Sequence, residues 1–434
     1  SSRCSCILYQ PNNSGISDSI MSIFDRFKFN KSEETTPKET SQTPNTLKTF
    51  VMQYSKAETP TFKESKTDGW VKYGESNDFP NHLLEYLETS AIHSGIVNGK
   101  SYLVAGGDFL IDEVPYQEWK KSANPSEIAT ITPILENSYG EDWWSLKEKL
   151  ALDWTISGSY ALKITWSLDF SRIVKVDYLP WQNIRAGIKE DGKVTKYYYA
   201  DDWKTKYGSS VKAQEYPAFD INSHLPNGEL PSEYNSVDEY PYKHTQVLYV
   251  KNHFPGYYYY GRPCYIGALN AIKATGILSQ FYLSSIENGF TPSMVITFNE
   301  MPGSAEEGNA VRKQIETQFT VKGIGRKLAV FFAKSKETAP TFTPLDVKNL
   351  DSQLITLQNQ LYSSVITGHS VTSPELVGVS VPGQLGEGSF EEKWNLFKNT
   401  VIDRDKAMIE KTIQMISDIN GASNTIKISE RNPI

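Results

Sequence analysis

Chemistry in a chain begins with side chains that can hold a metal, move a proton or attack a bond, and six histidines are the first candidates here. They are scattered, and no two stand at the spacing of an HExxH zinc helix, so a structural or surface role is expected and no metal is assigned. Gly383, Gly386 and Gly388 could cradle a phosphate through backbone N–H groups. No Lys-Ser/Thr pair follows them, however, and Glu387, Glu391 and Glu392 next to them would repel a phosphate. Cys4 and Cys6 sit in a polar stretch and Cys264 stands alone, which supports neither a disulfide framework nor a four-ligand zinc site; a reducing cytoplasm is the simplest compartment. Asp and Glu are abundant, so counting does not exclude a glycosidase-type carboxylate pair, but nothing singles one out. Trp143, Trp144, Trp154, Trp166, Trp181 and the run Tyr197 to Tyr199 could stack on sugars or bases. Aromatic residues in and beside strands are more often core or cross-strand pairs. No enzyme active site and no cofactor are expected.

The clearest local charge asymmetry lies between residues 312 and 336, where Arg312, Lys313, Lys322, Arg326, Lys327, Lys334 and Lys336 face a single nearby Glu316. A solvated face is the ordinary explanation, and a docking surface for acidic partners is the functional one. The whole chain carries a formal charge of −7, which argues against gripping nucleic acid by bulk attraction. No apolar run approaches the ~18–20 residues a membrane span needs, so no membrane anchoring by a span is expected. Residues 1–20 read as poorly structured, without a signal-peptide pattern, and Met21 opening MSIFDRFKF is a plausible start.

The elements that must position any site follow from spacing. Residues 31–48 are rich in Lys, Glu, Thr, Ser and Pro and cannot offset the entropy of ordering, so residues 1–48 should form a flexible arm. Leu83, Leu84, Leu87, Ile92, Ile96 and Val97 predict one or two helices over 79–104, stopped at Gly106-Gly107. Asp142 can cap a further helix that Gly158 ends. From Tyr160 to Tyr199 short β-type runs and the Asp191-Gly192 turn predict antiparallel strands. Residues 201–243 read as an irregular excursion before a strand at Gln246 to Val250.

Beyond that strand the periodicity becomes long and helical. Ile266, Leu269, Ile272, Ile277, Phe281 and Ile286 mark a helix over 264–288, stopped by Asn288-Gly289 and Pro292. A strand SMVITF, a short helix over 305–319 and a strand LAVFFA should follow. Leu350, Leu354, Leu357, Leu361 and Val365 then define a second long helix with a narrow seam. The Gly, Ser, Val and Pro residues of 371–389 cannot continue it. Phe390, Trp394, Phe397, Val401, Met408, Ile409, Ile413 and Ile416 line a third.

In this half the chain resembles the portal proteins of tailed bacteriophages, in their lambda-like branch. The segment GRPCYIGALNAIKATGILSQFYLSSIENGFTPSMVI is similar to the family's Gly-Pro entry to a long helix ending in Asn-Gly. SPELVG at 373–378 resembles its Pro-Leu-Gly step, and GSFEEKWNLFKNTVI resembles the aromatic and acidic opening of the next helix. The likeness covers roughly residues 245–420 well and 83–200 by order of elements; the polar stretch 201–243 is longer than the family pattern.

The resemblance implies an α+β portal-type subunit. Residues 49–263 would be an α/β wing and 264–289 and 346–367 the two stem helices, with Ile272, Phe281, Leu354 and Leu361 on their faces. Residues 290–345 would be a small α/β clip whose docking surface is Arg312, Lys313, Arg326 and Lys327. Residues 368–389 would hold the tunnel loop, formed by Val379, Ser380, Val381, Pro382, Gly383, Gln384, Leu385, Gly386, Glu387 and Gly388. Residues 390–434 would supply the long channel-bordering wing helix and a C-terminal segment. It further implies a ring of copies of this chain, typically twelve, at one capsid vertex of a virion assembled in host cytoplasm. The implied partners are the major capsid protein, the terminase large subunit, a tail adaptor and double-stranded DNA, which passes through without sequence-specific binding during packaging and ejection. The rival readings are a carbohydrate-active enzyme built on the aromatic strands, and another virion component such as a tail adaptor or minor capsid protein.

Overall fold

A computed structural model describes residues 59–136, 143–203, 211–288, 294–298, 303–304, 306–310, 328–332, 350–380 and 389–431. All of these belong to one unit spanning residues 55–434. The expected arm over 1–48 and the capping residue Asp142 lie outside the described residues.

A three-stranded antiparallel sheet organises the body. Strand β5 (Ser159–Trp166) lies between β6 (Ile173–Leu179) and β12 (Thr245–Lys251). Successive side chains of a strand point to opposite faces. Tyr160, Leu162, Ile164 and Trp166 accordingly enter the main core, while Ala161 joins Leu179, Ile184 and Val247 in a second, smaller cluster on the other face. A second three-stranded sheet accompanies that smaller cluster, in the order β11 (Gln214–Pro217), β10 (Lys196–Tyr199), β7 (Ile184–Ala186). The predicted Asp191-Gly192 turn closes the hairpin of β8 (Lys189–Glu190) and β9 (Lys193–Val194), both turn residues having positive φ as a tight hairpin requires. Strand β11 was not expected: Gln214 to Pro217 alternates too little to be read as a strand alone, and forms one by pairing with the tyrosines of β10.

Helices cover the main face. The predicted pair over 79–104 is α1 (Phe79–Thr89) and α2 (Ala91–Ala105), divided at Ser90, whose side chain caps α2 by accepting from the His93 N–H. Next come β3 (Phe109–Ile111), β4 (Val114–Pro115), α3 (Tyr116–Ser122), α4 (Pro125–Leu135) and α5 (Trp143–Ser157). The C-terminus of α2 is covered by Lys147 of α5, whose buried ammonium donates 3.1 Å bonds to the carbonyls of Ala105 and Gly106. A cation placed there satisfies carbonyls that no helical N–H can reach. Strand β15 (Ile426–Ile428) returns to pair with β3, so the C-terminal segment completes a small sheet with β3 and β4. Two N-terminal strands, β1 (Phe62–Glu64) and β2 (Val71–Tyr73), pair antiparallel.

Three helices complete the fold. Helix α6 (Leu269–Asn288) starts later than the sequence suggests, because Ile266–Ala268 form a 3₁₀ turn before it. Beyond it β13 (Met294–Phe298) and β14 (Leu328–Phe332) pair in parallel, and residues 306–310 between them are helical. A parallel pair needs such a crossover connection. Helix α7 (Leu350–Gly368) then packs against α6. The expected third helix runs without a break from α8 (Phe390–Phe397) into α9 (Asp403–Ile419), with a π bulge at Lys398–Ile402 between them. The wider turn lets both Val401 and Ile402 face the core, so one apolar side runs on from Trp394 and Phe397 to Ile409 and Ile416. Phe390, expected on that side, is instead exposed.

A close backbone approach fixes how β5 meets the segment before α6. Gly158 has φ +70°, and a Cβ there would collide with the Arg262 carbonyl oxygen and the Asn252 amide; Gly261 meets the Gly158 carbonyl in the same way. Gly158→Ala should therefore destabilise the protein well beyond the ~1–2 kcal/mol of left-handed strain alone. Gly421→Ala, at φ +79° with open space around it, should show only that strain. Urea unfolding of both variants checks this, and equal losses would contradict it.

Candidate functional site: the root of the helix pair and its flanking cleft

Helices α6 and α7 leave the body and return to it at one place. Tyr265 precedes α6 and is fully buried, its hydroxyl donating to the Ile156 carbonyl at 2.7 Å. His369 follows α7, also fully buried, and its ring stacks on Tyr265 with centroids 4.6 Å apart. His93 of α2 completes the group. Its Nδ1 lies 2.9 Å from His369 Nε2, and its ring meets Tyr265 edge-on at 4.6 Å. Gly368 is forced by this closure, since a Cβ there would collide with that of Ala268. Ser90 Oγ and Thr275 Oγ1, 2.6 Å apart, tie the first turns of α6 to α2 as well.

One proton serves the bond between the two imidazoles, leaving His93 Nε2 and His369 Nδ1 without a hydrogen-bond partner among the described residues. Burial accordingly pushes His93 down to about 3, and burial followed by the charges of His93 and Lys100 holds His369 well below the usual histidine range. Among the described residues no group of three or more His, Cys, Asp or Glu could hold a metal. Sequence reading missed this joint because 276 positions separate the two histidines.

Burial falls along both helices away from the joint. On α6 Ile272 is fully buried and Leu278 nearly so, whereas Phe281, Leu283 and Ile286 are 45%, 57% and 69% exposed. On α7 Val365 and Ile366 are buried and Leu354 and Leu361 half-buried, but Ile355 and Leu357 are largely exposed. Of the four helix residues singled out in the sequence, only Ile272 is fully covered, and Phe281 is open to solvent.

After the joint the chain makes the 3₁₀ turn Pro374–Val377 and reverses at Gly378, φ +74°. This turn lies against α2 at Gly95 and Gly99: a Cβ at Gly99 would strike the Val377 carbonyl, so only hydrogen fits there, and one at Gly95 would come within 3.1 Å of a Val379 methyl, a tight contact. Of the expected tunnel loop, Val379 packs half-buried there and Ser380 is exposed. Its remaining members, Val381 to Gly388, lie outside the described residues, as do Arg312, Lys313, Arg326 and Lys327. The chain resumes at Ser389, which caps α8 in a reciprocal arrangement with Glu392.

Beside the joint a cleft of about 540 Å³ opens between α2, α5, the 251–264 segment and α9. Its buried wall holds an ion pair, Lys100 Nζ to Asp405 Oδ2 at 2.9 Å. Burial works against both charges, yet Cys264 and Asp405 keep Lys100 above its ordinary value and Lys100 keeps Asp405 below its own. Of the aromatic residues raised as a stacking surface, Trp154 lines this cleft from a buried position, and the side chains of Trp143 and Trp144 lie outside the described residues. Trp154, Trp166 and Trp181 are buried, and Tyr197 stacks on Tyr249 at 5.3 Å.

No protein-family model matches the chain, and no curated protein matches it in sequence. Its fold is matched by solved structures. A chain in the virion of a native gene transfer agent particle is 12% identical over 81% of this chain and 83% of its own, with a TM-score of 0.51. A chain in the neck of a native gene transfer agent particle, solved with C12 symmetry, is 13% identical over 82% and 86%, with a TM-score of 0.50. An HK97 family phage portal protein from Corynebacterium diphtheriae is 10% identical over 80% and 95%, with a TM-score of 0.45.

The histidine joint makes stability depend on pH in a defined direction. Both rings are neutral when folded and take up protons on unfolding below the ordinary histidine value of ~6.5. Stability should therefore be full above that value and decline as pH falls toward 3, at up to ~1.4 kcal/mol per pH unit for each ring. Urea unfolding at pH 7.5, 6 and 5 should show the decline in the natural protein and a flatter profile in His93→Leu/His369→Phe. The same slope in both proteins would contradict it.

Proposed function

We propose that this chain is the subunit of a portal-type ring, the connector through which DNA enters and leaves a virion. The carrying observation is the fold shared over four-fifths of its length with chains in the virion and neck of gene transfer agent particles. The portal-like order of motifs over residues 245–420 supports the same reading from the sequence side. So does the exposed apolar surface of α6 and α7, because apolar side chains left open along two adjacent helices are typical of a surface covered on assembly. Head-to-tail contacts between identical copies close a ring when the rotation permits, and twelve copies would match both the resemblance and the C12 symmetry of the neck structure.

In this reading α6 and α7 are the stem, residues 290–345 the clip, and 379–388 the tunnel loop, while the α/β body is the wing. Arg312, Lys313, Arg326 and Lys327 would dock the terminase large subunit or a tail adaptor, and other faces would meet the major capsid protein. The chain would do no covalent chemistry. Its net charge of −7 suits a wall past which DNA slides, since strong phosphate attraction would retard the duplex.

Electron microscopy of the purified full chain tests this directly: rings with a central opening are expected, and compact monomers at every concentration would overturn it. Removal of Gly383 to Gly386 should then leave rings intact while impairing DNA packaging or retention in particles. Loss of rings with normal packaging by any survivors would make the segment an assembly element instead.

A further inference from the structure

Two cations on the outer wall of the cleft beside the joint are held in place with no carboxylate to neutralise them among the described residues. Arg262 is fixed at its backbone by Asn252, which accepts from the Arg262 N–H at 2.9 Å and donates to its carbonyl at 2.7 Å. The Gly158 and Gly261 crossing locks the same stretch from beneath. Its guanidinium carbon lies over Phe254, 3.9 Å from the ring centroid, and 5.9 Å from that of Tyr257. The guanidinium also bonds the Tyr257 side chain, and a guanidinium set over a ring keeps its remaining N–H donors available in its plane. Lys251 is half-buried and donates to the Tyr257 carbonyl at 2.9 Å; burial, then the charge of Lys189, lowers its pKa. Arg404 lines the same cleft and contacts Asp405 at 3.2 Å.

The only carboxylate among the residues lining the cleft, Asp405, is already bonded to Lys100 and Arg404. Lys100, Lys251, Arg262 and Arg404 against Asp405 leave an excess of three positive charges, in a chain whose net charge is −7. Both amide-group bonds of Asn252 are used within the floor, so the wall offers donors and no free carboxylate. A volume of about 540 Å³ lies in the range of small-molecule sites. Packing alone accounts for the stack of Arg262 on Phe254 but not for a second, partly desolvated cation in the same cleft.

We propose that this cleft binds a phosphate group, held by Arg262 and Lys251 with Arg404 at its rim. A phosphate presents several oxygens at once and carries up to two charges, which suits donors set around a cleft better than the two coplanar oxygens of one carboxylate. The phosphate could belong to a free phosphate compound or to a nucleic-acid backbone. The site does not depend on ring formation, so it stands or falls separately from the portal reading.

The test titrates the full chain at fixed ionic strength with inorganic pyrophosphate, with a short double-stranded DNA and with glutarate, following heat of binding or fluorescence anisotropy. Arg262→Met and Lys251→Met keep much of the apolar stem and remove the charge, and circular dichroism confirms that each is folded. Saturable pyrophosphate binding, weakened at least tenfold in either variant, is the result for a free phosphate compound. Saturable binding of the DNA alone, with the same dependence on both residues, assigns the group to a nucleic-acid backbone. Absence of saturation with either phosphate probe overturns the proposal, as does binding unchanged in both variants. Glutarate binding as tight as pyrophosphate also overturns it, in favour of a carboxylate site.

Discussion

A chain that leaves the body at Ala268 and comes back at Gly368 must bring two distant points into contact, and the rest of the structure depends on how that closure is held. The contact of His93 with His369, with Tyr265 packed against both, does this at the cost of two buried nitrogens without partners among the described residues. Such groups are unfavourable unless packing compensates. Here the compensation is a fully buried aromatic cluster and the adjoining Lys100 to Asp405 pair, which links α2 to α9. Breaking one member of that pair would leave a lone buried charge, typically worth ~3–5 kcal/mol.

With its root fixed, the helix pair can carry apolar surface outward without loosening the body. The gradient from Ile272 to Ile286 on α6, and from Val365 back to Ile355 on α7, is what a pair of helices shows when its base is packed and its far end awaits neighbours. Fully burying one such side chain contributes ~1.5–3 kcal/mol, so a few of them per subunit contact, repeated around a ring, would hold it firmly. The turn at 374–379 is tied to the same base through Gly95 and Gly99.

Much of this was legible in sequence because local rules decide it. Gly106, Gly158 and Asp191-Gly192 mark boundaries through helix stops and positive φ, and the structure puts boundaries there. The alternation in Tyr160 to Trp166 sorts two core faces. What escaped depends on residues far apart in the chain. The strand at Gln214 exists only against β10, the π turn at Lys398–Ile402 exists to keep one apolar side on the core, and no spacing rule relates His93 to His369. Likewise Arg262 and Lys251 read as ordinary cations until the glycine crossing shows them held in one cleft. The faces of Phe281 and Leu357 read as helix seams in the sequence, and their exposure adds that this chain alone does not cover the whole seam.

The central claim is that copies of this chain cover each other along α6 and α7. The most direct measurement is maleimide labelling of Leu283→Cys and Leu357→Cys, each in a chain whose three native cysteines are replaced by Ser, compared between assembled and dissociated fractions. The account predicts rapid labelling of both positions in dissociated subunits and labelling slowed by at least tenfold on assembly, while a cysteine at exposed Leu168 reacts equally in both. Equal rates at Leu283→Cys and Leu357→Cys in the two fractions would contradict it.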